Sequence, residues 1–127
     1  MFKLFKRNDA TVPVVKEIPA VAGTYSVGEA LVISDGLATK TSGTYTPTHI
    51  SAGAGTKASG DLLAVNPVYE DKEWKTTFNT TASSIKIGDK VTIASDSAQV
   101  TATTTNGVAE VVEIISSASG GEVVVRF

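Results

Sequence analysis

Gly28-Glu29-Ala30-Leu31-Val32-Ile33 is the first statement of a phrase that the chain repeats. It returns as Gly60-Asp61-Leu62-Leu63-Ala64-Val65, as Gly88-Asp89-Lys90-Val91-Thr92-Ile93 and as Gly121-Glu122-Val123-Val124-Val125-Arg126-Phe127. Glycine tolerates the positive φ that a tight turn demands, and a short acidic side chain caps the turn before β-branched residues extend the backbone. Each phrase therefore marks a turn-to-strand junction. Positions 28 and 88 lie 60 residues apart and positions 60 and 121 lie 61 apart, so the chain reads as two related halves, about 24–78 and 84–127. Gly-Asp before a strand is also common in antiparallel proteins, so the phrase alone leaves duplication and a recurrent turn type both open.

The rest of the composition agrees with an all-β protein. The chain has 127 residues, enough for one domain with a real core, and it is rich in Thr, Ser, Val, Ala and Gly with only 19% charged residues. That disfavours long helices and disorder alike. There is no cysteine, so packing and not disulfides must hold the fold, and redox compartment stays open. The expected architecture is a small antiparallel β-barrel or β-tulip-like domain over residues 23–127, preceded by an extended N-terminal arm, residues 1–22.

Charge is unevenly spread. The net charge is −2, but residues 1–19 carry Lys3, Lys6, Arg7 and Lys16 against Asp9 and Glu17, a local +2 that leaves −4 on the remainder. A basic arm on an acidic body lacks the dense basic surface and stacking aromatics of a nucleic-acid binder. Met1 to Arg7 has the positive charge of a signal peptide without its apolar run of about seven or more residues, and no stretch approaches the roughly 20 apolar residues of a membrane span. Neither nucleic acid nor membrane is an expected partner, and synthesis in the cytosol is expected.

Pro13 and Pro19 remove backbone donors from the arm, which suits an edge strand or a polyproline-like connector. The arm reads either as a frayed terminus or as an element that lays a strand or an apolar knob on a partner. Beyond it, Leu31–Ile33 and Leu37–Thr41 form a hairpin around Ser34-Asp35-Gly36. Thr46–Ile50 reads as a short edge-like strand, 53–60 as a small-residue loop, and Leu62–Tyr69 as a strand. Glu70-Asp71-Lys72 reads as a charged turn, and residues 73–79 alternate, with Trp74, Thr76 and Phe78 on one face. A polar linker over 79–84 is followed by a second hairpin, 90–94 with 98–105. Residues 108–115 suit a helix face as well as a strand; β-branched enrichment and flanking glycines favour strand.

Sites for chemistry are weak. His49 is the sole histidine, without a nucleophile context, and Glu70, Asp71 and Glu73 lack the spacing of a calcium loop. Gly53-Ala54-Gly55-Thr56-Lys57-Ala58-Ser59-Gly60 superficially resembles a phosphate loop but leads into a strand and not a helix. Trp74 with Tyr25, Tyr45 and Tyr69 would suit a sugar-stacking platform only if they shared a face. No catalytic residue, cofactor or metal is expected.

Together, Tyr25 to Ile33, Leu37-Ala38-Thr39-Lys40, Thr46-Pro47-Thr48-His49-Ile50, Gly107 to Val111 and Gly121 to Phe127 resemble the small capsid decoration, or cement, proteins of tailed bacteriophages. The resemblance covers most of residues 24–127. It implies a domain on the outer face of the mature virion head that cements neighbouring major capsid protein subunits, commonly as a homotrimer, with no catalytic residue. The N-terminal head has no counterpart in that resemblance. On its own composition, the arm supplies the candidate capsid-contact residues Phe2, Leu4, Phe5, Lys6, Arg7, Val12, Val14 and Val15. The competing expectation is a carbohydrate- or host-surface-binding β-module, and a generic β-barrel assembly factor also stays open.

Overall fold

A computed structural model describes residues 1–7, 15–69 and 72–127. Twelve strands and, among the described residues, no helix make up the fold: β1 Lys3–Arg7, β2 Lys16–Pro19, β3 Gly23–Tyr25, β4 Ala30–Ser34, β5 Leu37–Lys40, β6 His49–Ser51, β7 Gly55–Lys57, β8 Leu62–Pro67, β9 Lys72–Thr77, β10 Lys90–Val91, β11 Ala109–Ile114 and β12 Glu122–Arg126. They form one five-stranded sheet in the order β1-β9-β12-β11-β10, a second in the order β2-β8-β6-β4-β5, and a ribbon of β3 with β7. Every ladder is antiparallel.

The expected barrel is not closed. The ends of the second sheet meet only at a parallel bridge between Ala20 and Ala38, and the first sheet carries the matching bridge between Phe78 and Val100. Two strand readings also change. Residues 49–51 lie inside a sheet, between β4 and β8, and Pro47 falls just before the strand, where its missing donor costs no ladder bond. The small-residue loop contains β7, which pairs with β3. Residues 109–114 are a strand, and Trp74, Thr76 and Phe78 are all buried, as their alternation predicts. At the hairpin turn, Asp35 and Gly36 both take positive φ, 51° and 76°, the pair a two-residue primed turn requires.

The ladders settle the question of duplication. Ala30↔Ile50 and Leu31↔His49 recur as Lys90↔Glu110 and Val91↔Ala109, 60 residues on. Ile50↔Asn66 and Ser51↔Val65 recur as Glu110↔Arg126 and Val111↔Val125. The four pairs of β2 with β8, from Lys16↔Val65 to Pro19↔Leu62, recur from Trp74↔Val125 to Thr77↔Glu122. The repeats are thus residues 16–67 and 74–127. β9 opens the second unit instead of closing the first, so the division lies near residue 70 and not in the 79–84 segment.

The repeated phrase has one geometry. Ser26 N–H donates to Glu29 Oε1, Ala58 N–H to Asp61 Oδ2 at 2.9 Å, and Lys86 N–H to Asp89 Oδ2 at 2.9 Å. The glycine before each acid has φ of 87°, 91° and 94°. In the fourth turn the left-handed residue is Gly120, φ 78°, so the true spacing from Gly60 is again 60. Gly121 takes the acid's place, because a Cβ there would lie 2.2 Å from the Ser116 carbonyl oxygen.

The two units differ where they meet. Ile33 pairs with Ala38, but Ile93 bridges Val100, so the second hairpin is two residues longer. Its tip, ordered by Asp96 Oδ1 accepting from Ala98 and Gln99 N–H, reaches the first unit: Ala30 N–H donates to Ser97 O at 2.7 Å, and Gly43 and Ile93 exchange backbone bonds of 2.7 and 3.0 Å. Ala30 and Ile50 accordingly join the core of Trp74, Phe78, Val91, Ile93, Val111 and Val125. Their counterparts in the second unit are Lys90 and Glu110, and Asn66 is matched by Arg126, which pairs with Glu110 at 2.9 Å. The face that packs buries Ala30 and Ile50; the equivalent face of the second unit, on which nothing packs among the described residues, is charged.

This contrast predicts unequal effects of equivalent substitutions. Ile50→Glu buries an uncompensated charge and should cost about 4 kcal/mol, whereas Glu110→Ile removes one half-exposed ion pair and should cost less than about 1 kcal/mol. Urea unfolding of the two variants measures both.

Candidate functional site

The N-terminal strand is the element on which the functional expectation rests, and the structure divides its residues. Phe2 is buried, 2% exposed, with its ring edge-to-face on Phe127 at 5.4 Å and its N–H donating to Gly28 O at 2.8 Å. Met1 crosses directly over Gly28, where a Cβ would lie 1.9 Å from Met1 Cγ. Leu4, opposite Trp74, packs against the same core. Phe2 and Leu4 are therefore not a free apolar knob: burial of a phenylalanine side chain is worth about 1.5–3 kcal/mol, more than water contact returns. The expected arm begins as the edge strand of a sheet.

Phe5 is the residue left facing out. The register of β1 against β9 slips between Leu4 and Lys6, so Phe5 is the extra residue of a bulge, which re-aims a side chain. It is 42% exposed, with Lys75 Nζ 5.7 Å from its ring centroid, and Lys75 also pairs with Glu122 at 2.8 Å. Lys6 and Arg7 stand opposite Glu73 and Lys72 in the ladder. Val15 is exposed, and Val12 and Val14 lie outside the described residues, as do Glu70 and Asp71 of the expected charged turn. Beside β1, a cleft of about 460 Å³ is lined by Met1, Lys3, Lys75, Thr76, Thr77 and Glu122. Phe5, Lys3 and the Lys75–Glu122 pair thus make a small apolar and charged surface beside a sheet edge that, among the described residues, has no partner strand.

The other candidates disperse. Trp74 and Tyr25 are buried, and the Tyr25 hydroxyl donates to Val21 O at 2.7 Å, so neither can stack on a sugar; Tyr45 and Tyr69 are exposed on separate loops. Lys72 is buried, donating to Asn66 Oδ1 at 2.9 Å and Pro67 O at 2.6 Å, with the Tyr69 ring 4.9 Å away. Its inward position follows from the alternation that also buries Trp74 and Thr76. No group of three or more His, Cys, Asp or Glu stands ready for a metal ion among the described residues.

No protein-family model matches the chain, and no curated protein sequence matches it.

His49 reports on this end of the second sheet. Its Nδ1 is 2.9 Å from Thr48 Oγ1, and burial, followed by the nearby Lys16 and Lys72 charges, holds its pKa below 6.5. The unfolded chain therefore takes up this proton before the folded one does. Stability is full above pH 6.5 and falls as the pH drops through 6.5 toward the folded value. Thermal melting of wild type and His49→Gln between pH 8 and 5 should show a component of destabilisation at low pH that the variant lacks.

Proposed function

We propose that this protein is a structural component of a tailed-phage virion, bound to the outer surface of the head, where it stabilises contacts between major capsid protein subunits. The observation that carries the reading is the outward-facing edge of β1, where Phe5, Lys3 and Lys75 lie together on a compact tandem β-scaffold. The resemblance of residues 24–127 to decoration proteins supports it. An edge strand with one apolar residue flanked by cations suits docking by strand addition to an extended segment of a partner. Many copies on a lattice make individually weak contacts sufficient when the spacing matches. Homotrimer formation at three-fold positions belongs to the same proposal. The carbohydrate-binding reading loses its main support with Trp74 in the core.

Co-sedimentation with mature, undecorated heads tests the proposal, with bound copies counted per capsid subunit. Saturation at a fixed lattice ratio is expected, together with heads that better withstand heat. Phe5→Glu should leave the melting temperature nearly unchanged and weaken binding about tenfold, equivalent to 1.4 kcal/mol. Equal binding by the variant removes β1 from the contact, and no binding by wild type overturns the capsid reading.

A further inference from the structure

Among the described residues, β1 is the one strand of the two five-stranded sheets with no counterpart in the other repeat. The first unit consists of β2, β8, β6, β4 and β5; the second reproduces these as β9, β12, β11, β10 and the bridged residues 93–100. β1 is added outside this set, along β9. The matching edge, on β2, carries no ladder among the described residues, only the bridge from Ala20 to Ala38 just beyond the strand, and the first unit keeps all its ladders without a covering strand. Completeness of a repeat therefore does not require the strand, and β1 occupies a seat that the repeat offers as an extra.

The residues facing that seat show what it selects. Where β2 has Lys16, β9 has Trp74, and where β8 ends at Pro67 the second unit ends at Phe127. Trp74 and Phe127 turn a polar edge into an apolar slot, into which Leu4 and Phe2 fit. Among the described residues β1 has a ladder along one of its two edges only, and just before it Phe2 N–H donates to Gly28 O and the Met1 amino group to Ala98 O. It is joined to β2 by residues 8–15, eight residues that span up to roughly 26 Å when extended.

From this we infer that β1 is an exchangeable strand, and that the slot along β9 takes β1 of a second copy of this chain. The slot is identical in every copy, so a strand given to a neighbour makes the same ladder bonds and the same Phe2–Phe127 contact that it makes at home. Exchange then costs little in contacts and links copies through the connector. Reciprocal exchange joins two copies, and cyclic exchange closes a ring of three. The inference concerns copies of this chain alone and stands whether or not a capsid is the target.

Engineered thiols decide it, because the chain has no cysteine of its own. Lys3 and Lys75 are Cα partners in the β1–β9 ladder. A Lys3→Cys chain is mixed with a Lys75→Cys chain, unfolded and refolded together. It is then treated with an oxidant or, so that linkage does not depend on disulfide geometry, with a short bismaleimide. Exchange predicts a linked pair of unlike chains on a denaturing gel. The double variant, Lys3→Cys with Lys75→Cys, is predicted to give covalent multimers whose proportion rises with protein concentration. A double variant that links only within single chains by mass spectrometry, together with no unlike pair from the mixture, overturns the inference.

Discussion

A carboxylate oxygen that accepts the N–H three residues upstream, across a glycine of positive φ, is the constraint on which the fold turns. It appears at Glu29, Asp61 and Asp89, and each time the chain leaves the turn as a strand. The bond satisfies a donor that a tight turn would otherwise leave exposed, and it fixes the direction in which the next strand departs. Direction fixes register, and register fixes which side chains face inward. With the junction repeated at intervals of 60 residues, one set of ladders becomes two, and the second is laid down in the same registers as the first. The shared order of the strands that follow these turns, β4, β8 and β10, goes with that repetition.

Much of this was legible in the residues, and the failures have local reasons. Alternation at Trp74, Thr76 and Phe78 placed β9, and Asp35-Gly36 placed the hairpin, because both are decided by neighbours in sequence. The fourth junction reads one residue late in the sequence, because Gly120 and Gly121 are adjacent and Glu122 imitates the acid of the phrase. The positive φ of Gly120 and the Ser116 and Ala118 carbonyls close to Gly121 separate the two registers. The polar stretch 79–84 invites a boundary between repeats, but composition says nothing about which sheet a strand joins. β7 escaped because a three-residue ribbon of Gly, Thr and Lys carries no apolar alternation.

The candidate site was legible only in part. Phe2, Leu4 and Phe5 stand out as apolar residues among cations, and nothing local distinguishes them. Their fates are set from afar: Phe127, at the far end of the chain, makes the seat for Phe2, Trp74 lies under Leu4, and a slip in the ladder turns Phe5 outward. What reads as a uniform sticky arm is two inward anchors and one outward contact. The exposure of Phe5 therefore depends on the stability of β1, since a change at Phe2 would alter how Phe5 is presented without touching Phe5 itself.

The paired faces of the two repeats carry a further consequence. A duplicated module that kept Ala30, Ile50 and Asn66 in its second copy would offer the same mating surface again, and such surfaces join end to end without a natural stopping point. Lys90, Glu110 and Arg126 close that route: any third unit placed there would have to strip water from an ion pair and gain no apolar contact. The shorter first hairpin, turning at Asp35 and Gly36, removes the complementary reach from the other end. Three charged side chains and a two-residue difference in one loop thus make the mating of the two repeats one-directional: the first unit's face suits the second hairpin, and the equivalent face of the second unit does not suit another such hairpin.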